Sequence, residues 1–451
     1  MLVYNRWKKD LISINPAELF FYSYLGLILI GSLLLKLPFA TKEGVETSFI
    51  DSIFTAASAV CVTGLATLTT ATHWSPFGKT IILILIQIGG IGVMTGVGTI
   101  GMLMGRRLSF SNRKFLAEEK NTSTFSEVAD LVRYVAYSTL FIEAIGAILL
   151  SFQFVPEYGL LRGVINSVFH SISAFCNAGF DIIGDQSFLG YVDNNWINLV
   201  IMLLIILGGL GFSVSRNLIH YRLNGSPIRL HTKLVLVTTG LLIVLPALFF
   251  LIIEWQNPST LGPLNLLDKL TAALFQSVTT RTAGFATIDQ GALRTPSYLV
   301  TNLLMFIGGA PGGTAGGLKV TTFALLILYT LSYLRESQDT VVFKRRIPKK
   351  NILKSLAIFF LSFSWIGLAL ILLTIFEPNK SLVNLYYEIV SAYGTVGLSQ
   401  GITANLSVMS KLIIVFTMIF GKIGPMAMVY VFFTRKASNN YREAKESILV
   451  G

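Results

Sequence analysis

Apolar residues gather along this chain into long runs, at about 17–37, 79–103, 133–154, 196–219, 234–255, 297–331, 353–376 and 409–433. Each meets or exceeds the ~20 residues a helix needs to cross a bilayer. The pattern therefore predicts eight spans. The first run opens at Asn15-Pro16-Ala17-Glu18, with Asn15 suited to the N-cap, Pro16 to the first helical position and Glu18 to the third. A basic head (Arg6, Lys8, Lys9) precedes it and no small-residue cleavage site follows, so it reads as a retained span rather than a signal peptide.

Four of the polar links hold a second, shorter kind of apolar run. They are FIDSIFTAASAVCVTGL (49–65), VINSVFHSISAFCNAGF (164–180), LDKLTAALFQSVTTRTAGF (267–285) and LVNLYYEIVSAYGTVGL (382–398). Each predicts a half-length helix, too short to span, that ends near a glycine followed by Leu or Phe: Gly64, Gly179, Gly284 and Gly397. A Ser-Ala pair stands before that glycine as Ser58-Ala59, Ser173-Ala174 and Ser391-Ala392, and the third copy has Val278-Thr279 instead. Within the following span a second motif recurs, as IGGIG (88–92), LGGLG (207–211), IGGAPG (307–312) and FGKIG (420–424).

The chain is thus four copies of one unit, over 1–120, 121–230, 231–345 and 346–451. Each unit crosses twice, so all four keep the same orientation, which suits parallel repeats about an axis along the membrane normal. The expected fold is an all-α integral membrane protein of four parallel span, half-helix, span repeats, with four re-entrant half-helices around a central pore.

Composition agrees. Hydrophobic residues make up 53% of the 451 positions and charged ones 13%, against roughly 25% charged in soluble domains; mean hydropathy is +0.68. The charges are sorted by link. Arg106, Arg107, Arg113, Lys114, Lys120, Arg216, Arg222, Arg229, Lys233, Arg335, Lys344, Arg345, Arg346, Lys349, Lys350, Lys354, Arg435, Lys436, Arg442 and Lys445 follow the even-numbered spans. Glu43, Glu46, Asp51, Asp181, Asp185, Asp193, Asp289, Glu377 and Glu388 fall in the other links. By the positive-inside rule both termini and every second link face the cytoplasm. The net charge of +12 is then an orientation signal, and no nucleic-acid partner is expected.

Backbone that is not helical is tolerated at membrane depth only when it is buried in protein or lines a water-filled path. Four such turns meeting on an axis can replace a cation's hydration shell with carbonyl oxygens, glycine permitting the dihedrals and the close approach. The half-helices would aim their partially negative carboxyl ends at the same place. The chain offers no intramembrane Asp pair, Ser-His pair or metal cluster, so an enzyme is not expected. GVGTIG (96–101) matches a dinucleotide fingerprint but lies in a predicted span after no strand, and GGTAGGLK lacks the end of a P-loop. Cys61 and Cys176 cannot build a disulfide scaffold, and packing is expected of His170 and Cys176.

On these motifs the sequence resembles the Trk/Ktr/HKT superfamily of potassium-translocating subunits, and in its compact length the membrane subunit of bacterial Ktr systems, the KtrB type. The resemblance implies potassium uptake through a selectivity filter of Val62, Thr63 and Gly64, then Asn177, Ala178 and Gly179, then Thr282, Ala283 and Gly284, and finally Thr395, Val396 and Gly397. It implies a gate at Gly308, Gly309, Ala310, Pro311, Gly312, Gly313, Thr314, Ala315, Gly316 and Gly317, where six glycines and a proline cannot continue a helix. The same stretch also fits a tight packing kink. Lys422 stands mid-span in FGKIG, as a barrier near the gate or as a snorkelling or ion-paired structural lysine. Glu143 is either paired with a base, exposed to an aqueous crevice or structural.

The resemblance further implies a homodimer in the bacterial cell membrane, surrounded by lipid and seated on a cytosolic ring of RCK (KTN) proteins, KtrA- or KtrC-like, that bind ATP or ADP. No cofactor is expected in this chain; K+ is the transported ion. The basic link at 335–354 offers a docking face, unless its charge is positive-inside bias alone. The alternative function is a cation carrier coupled to Na+ or H+.

Overall fold

The half-length runs fold as half-length helices because each stops at a left-handed turn, and the first and third also start on a side-chain cap. The computed structural model describes residues 16–42, 45–92, 128–184 and 187–432. Arg6, Lys8, Lys9, Asn15, Glu43, the end of the second span with its GVGTIG stretch, the basic residues from Arg106 to Lys120, Asp185 and the tail 434–451 lie outside the described residues.

In chain order the helices are α1 (Pro16–Leu35), α2 (Phe49–Val60), α3 (Pro76–Ile91), α4 (Val128–Tyr158), α5 (Leu160–Phe175), α6 (Asn195–Gly209), α7 (Phe212–Asn224) and α8 (Leu230–Glu254). They continue as α9 (Leu266–Thr279), α10 (Thr295–Phe306), α11 (Val320–Leu334), α12 (Lys349–Phe376), α13 (Leu382–Gly394), α14 (Val408–Ile423) and α15 (Pro425–Phe432). A hairpin of β1 (Val341–Val342) and β2 (Arg345–Arg346) links α11 to α12. α2 is capped by Ser48, whose hydroxyl accepts from the Asp51 amide at 3.1 Å, and α9 by Asn265, which accepts from the Asp268 amide at 2.9 Å.

The arrangement is polar at its centre and apolar outside. On the half-helices α2, α5, α9 and α13, residues such as Ser58, His170, Gln276 and Glu388 are fully buried. On α4, α8 and α12 the large apolar side chains of Phe141, Ile252 and Phe360 are 67%, 73% and 71% exposed. Such a surface is stable only against hydrocarbon. The chain is an all-α integral membrane protein.

Three helices among the described residues, α4, α8 and α12, are each long and apolar enough to cross a bilayer unaided. The fourth and eighth runs, expected as single spans, are bent: α6 meets α7 at 97°, and α14 meets α15 at 106°. At each bend a glycine leaves helical space, Gly211 at φ 86° and Gly424 at φ 93°, so the carbonyl ladder stops and a new helix starts in another direction. The sixth run is broken into α10 and α11, with Ile307 to Lys319 between them outside any helix.

Candidate functional site: a closed ring of four glycine turns

Each half-helix is followed by a non-glycine residue in a left-handed turn, a seat that Asn177 takes readily and that Val62, Thr282 and Thr395 do not. Val62, Asn177, Thr282 and Thr395 have φ of 50°, 59°, 66° and 50°, and the glycine two positions on is also at positive φ in every copy. A non-glycine residue held in this conformation costs about 1–3 kcal/mol, and it persists where its surroundings over-determine it.

Those surroundings are explicit. In the first copy the Val62 amide donates to Ala59 O at 3.1 Å and the Thr63 amide to Ser58 O at 2.8 Å. These two bonds are the paired closure of a Schellman cap, with Val62 in the seat that glycine usually takes. The second and fourth copies repeat it: Asn177 to Ala174 and Ala178 to Ser173, then Thr395 to Ala392 and Val396 to Ser391, at 3.1 and 2.8 Å in each pair. The paired serines add side-chain bonds. Ser58 Oγ accepts from the Gly64 amide at 3.0 Å and Ser391 Oγ from the Gly397 amide at 3.1 Å, while Ser173 Oγ donates to Phe180 O at 2.8 Å. The third copy departs: Ala283 donates to Thr279 O at 3.0 Å, and Thr279, next to the Val278 that replaces the serine, donates its hydroxyl to Phe285 O at 2.5 Å.

The four turns meet. A Cβ built on Gly64 would stand 2.4 Å from the carbonyl oxygen of Ala178; on Gly179, 2.6 Å from that of Ala283; on Gly284, 2.4 Å from that of Val396; and on Gly397, 2.2 Å from that of Thr63. The contacts run from the first copy to the second, third and fourth and back to the first. Residues up to 333 positions apart, counted from Gly397 back to Gly64, thus share one closed ring. All four predicted triplets are brought together there.

The second glycine motif is explained by packing against the same elements. A Cβ on Gly89 would lie 2.0 Å from Val60 O, on Gly208 1.9 Å from Phe175 O, and on Gly421 1.8 Å from Tyr393 O. Each carbonyl stands two residues before a left-handed turn, so these glycines let α3, α6 and α14 press directly on the half-helix ends. In the third copy Gly308 meets Gly316 O instead, because the chain there is the loop.

That loop is held by backbone bonds on several sides. The Gly308 amide donates to Leu318 O at 2.7 Å and the Leu318 amide to Phe306 O at 3.2 Å, which brings the loop's two ends together. Ala310 N donates to Gly209 O at 2.9 Å and Thr314 N to Gly208 O at 3.3 Å, filling carbonyls that the α6–α7 bend leaves open, and Gly317 N donates to Gly421 O at 3.2 Å. Thr314 Oγ1 donates to Phe175 O at 3.3 Å, and Gly316 abuts Thr395, where an added Cβ would come within 2.3 Å of Oγ1. The loop is therefore seated against the second and fourth turns, on the face where the turns leave their helices. Lys422 Nζ donates to Thr314 O at 2.5 Å. Sequence reading missed Lys319, whose Nζ donates to Ala315 O at 2.6 Å; an intramembrane cation was the available signal, the same one that marked Lys422.

The chain matches the family described as "TrkH: Cation transport protein" over residues 25–443. It belongs to that family. It is 41% identical over 428 residues to the Ktr system potassium uptake protein B of Bacillus subtilis (strain 168), covering 95% of each chain. It is 39% identical over 443 residues to the potassium/sodium uptake protein NtpJ of Enterococcus hirae, covering 97% of this chain and 98% of that one. The fold matches the crystal structure of the potassium transporter TrkH from Vibrio parahaemolyticus with a TM-score of 0.72 at 19% identity, over 91% of this chain and 84% of that one.

In this TrkH-family chain two buried acids lie close to the ring. Glu388, read from sequence only as a link acid, is fully buried on α13 and accepts from Ser399 Oγ, from Thr403 Oγ1 at 2.9 Å and from the Gln400 amide at 3.3 Å, tying down the segment that follows Gly397. Its position inside an apolar half-helix was a usable signal. Glu143 accepts from Gln87 Nε2 at 3.0 Å, and its backbone carbonyl accepts from Ser171 Oγ at 2.6 Å. Among the described residues its side chain meets an amide and the Cys176 thiol rather than a base. His170 is buried among Phe154, Phe188 and Phe285 and its Nε2 accepts from the Ile182 amide at 3.3 Å, a packing role.

Proposed function

We propose that the chain is the potassium-translocating subunit of a Ktr-type uptake system, conducting K+ along the axis of the glycine ring. The observation that carries this reading is the ring's closure: four main-chain segments, one per repeat, abut through glycines that no other residue can replace without a backbone clash. Carbonyl oxygens drawn from four sides can take the place of a cation's water shell, and the carboxyl ends of α2, α5, α9 and α13 add negative potential. The name of the Bacillus subtilis relative, a potassium uptake protein, supports the choice of ion.

The loop from Gly308 to Gly317 acts as the gate in this reading. It is non-helical, seated on the ring, and held by reversible bonds to the bends of neighbouring helices. Lys422 holds it shut through Thr314 and sets a positive charge against cations near the closed path. The membrane subunit works as a homodimer in the bacterial cytoplasmic membrane, with both termini cytoplasmic and the unit boundaries at 120, 230 and 345. A cytosolic RCK ring that binds ATP or ADP regulates it through the basic links, including the hairpin between α11 and α12.

The test is uptake in a potassium-auxotrophic bacterium, wild type against Gly→Ser at positions 64, 179, 284 and 397 taken singly. Growth at low potassium that is lost, or that becomes open to sodium competition, supports the filter; unchanged uptake and discrimination in all four overturns it. A second reading, coupling to Na+, is favoured by the Enterococcus hirae relative, whose name pairs potassium with sodium. Potassium uptake that stops in sodium-free medium would support it.

A further inference from the structure

The loop touches the ring at two places, and both are first residues or supports of a turn. Thr314 is fully buried and its hydroxyl reaches the carbonyl of Phe175, the last helical residue of α5. Two residues on, Asn177 holds the left-handed conformation from which the second turn starts. Gly316 lies against the side chain of Thr395, the left-handed residue of the fourth turn; the Thr395 hydroxyl is buried and has no hydrogen-bond partner among the described residues, so the loop meets that turn itself by packing. The second and fourth turns flank the third in the ring, and the third copy is the one that supplies the loop.

We infer that Thr314 is a specificity-determining positioning residue: through it the loop braces the second turn, so cation discrimination depends on how the loop is seated. The inference rests on the filter and gate reading above and adds to it that gate and filter are one mechanical unit. The ring has no slack, because neighbouring turns already meet backbone to backbone at each glycine. A shift of a few tenths of an ångström at Phe175 is therefore passed to Asn177 and Ala178, and from Ala178 to Gly64. Where the carbonyls stand sets both the size of such a site and how many oxygens a cation meets, so displaced turns change which monovalent cation it accepts.

Thr314 suits a clean experiment because its backbone is engaged elsewhere. Its amide donates to Gly208 O at 3.3 Å and its carbonyl accepts from Lys422 at 2.5 Å, so a side-chain change leaves both seats in place. Thr314→Val removes the hydroxyl at nearly constant volume, and Thr314→Ser keeps it. Gly316→Ala is a second arm, since its methyl group must displace either Thr395 or the loop.

The readout is the ratio of initial rubidium to sodium tracer uptake in proteoliposomes of purified full-length protein. One hydrogen bond's worth of support predicts a ratio lowered about two- to tenfold in Thr314→Val. Thr314→Ser should keep the wild-type ratio, and Gly316→Ala should lower it. A changed uptake rate with an unchanged ratio in both Thr314→Val and Gly316→Ala would overturn the inference while leaving the gate intact. An equal loss in Thr314→Ser would overturn the role of the hydroxyl. Should Thr314→Val fail to accumulate, the Gly316→Ala ratio decides. Failure of the filter reading itself shows separately, as unchanged discrimination in the Gly→Ser series.

Discussion

Asp51, in the first turn of α2, and Lys411, in the first turn of α14, form an ion pair of 2.8 Å across 360 residues of sequence. Both side chains are largely enclosed, at 15% and 11% exposure. The pair joins the first half-helix to the last long helix at the seam where the chain's two ends must meet to close the ring. No neighbouring covalent link does this.

Breaking the pair should weaken the seam. Asp51→Asn leaves the largely enclosed Lys411 charge without its counter-ion, at an expected cost of about 1–3 kcal/mol, between the values for exposed and buried pairs. Thermal unfolding of the detergent-solubilised protein should shift downward, and the double exchange Asp51→Lys with Lys411→Asp should recover part of the loss. A melting curve that does not move in Asp51→Asn would show that apolar packing alone closes the seam.

Lys422→Gln tests the hold on the loop. A hydrogen bond to a charged group contributes about 1.5–3 kcal/mol, so its loss shifts the loop's seated population by about tenfold or more. Potassium flux without any activating partner should rise in reconstituted vesicles. Equal or lower flux in Lys422→Gln would mean that this lysine serves conduction or folding and not closure.

Ser391→Ala removes the hydroxyl that accepts from the Gly397 amide. That amide then lies part-buried without its partner, which costs about 1–3 kcal/mol. Lower thermal stability and weaker potassium discrimination are expected together, with Ser391→Thr closer to wild type. Ser173 donates to a carbonyl instead, so Ser173→Ala should be milder.

Glu388 gathers the segment after Gly397 through two hydroxyls and one amide. Glu388→Ala removes both acceptor oxygens, and with them all three hydrogen bonds, and should reduce both protein yield and uptake, whereas Glu388→Gln keeps one carbonyl acceptor and should retain intermediate uptake. Proteolysis of purified protein provides the check: cleavage near Ser399 to Thr403 should appear in Glu388→Ala and be absent in wild type.

How far the residues alone go is clearest at three places. The half-helices were readable because apolar length and a stop at a glycine turn are local properties, whereas the caps at Ser48 and Asn265 came only from the structure. The paired glycine motif was visible as a repeat, but its purpose was not, since Gly89, Gly208 and Gly421 matter only through the carbonyls of Val60, Phe175 and Tyr393 that fold against them. The bends at Gly211 and Gly424 were hidden inside apolar runs, because hydropathy measures how much of a segment prefers hydrocarbon and carries no direction.

By itself the sequence determined the environment, the fourfold recurrence and the residue types at each turn, all of which follow from composition and spacing. Tertiary structure alone decided that the turns close in the order first, second, third, fourth, that the loop seats on Phe175 and Thr395, and that Glu388 is a buried anchor for the segment after the fourth turn. The physical reason is that the ring closes through main-chain atoms, which every residue carries, while Thr314, Thr395 and Glu388 gain their partners only from segments that fold against them. A side chain's identity can permit such an approach, as glycine does, but which backbone approaches is settled only when the helices pack.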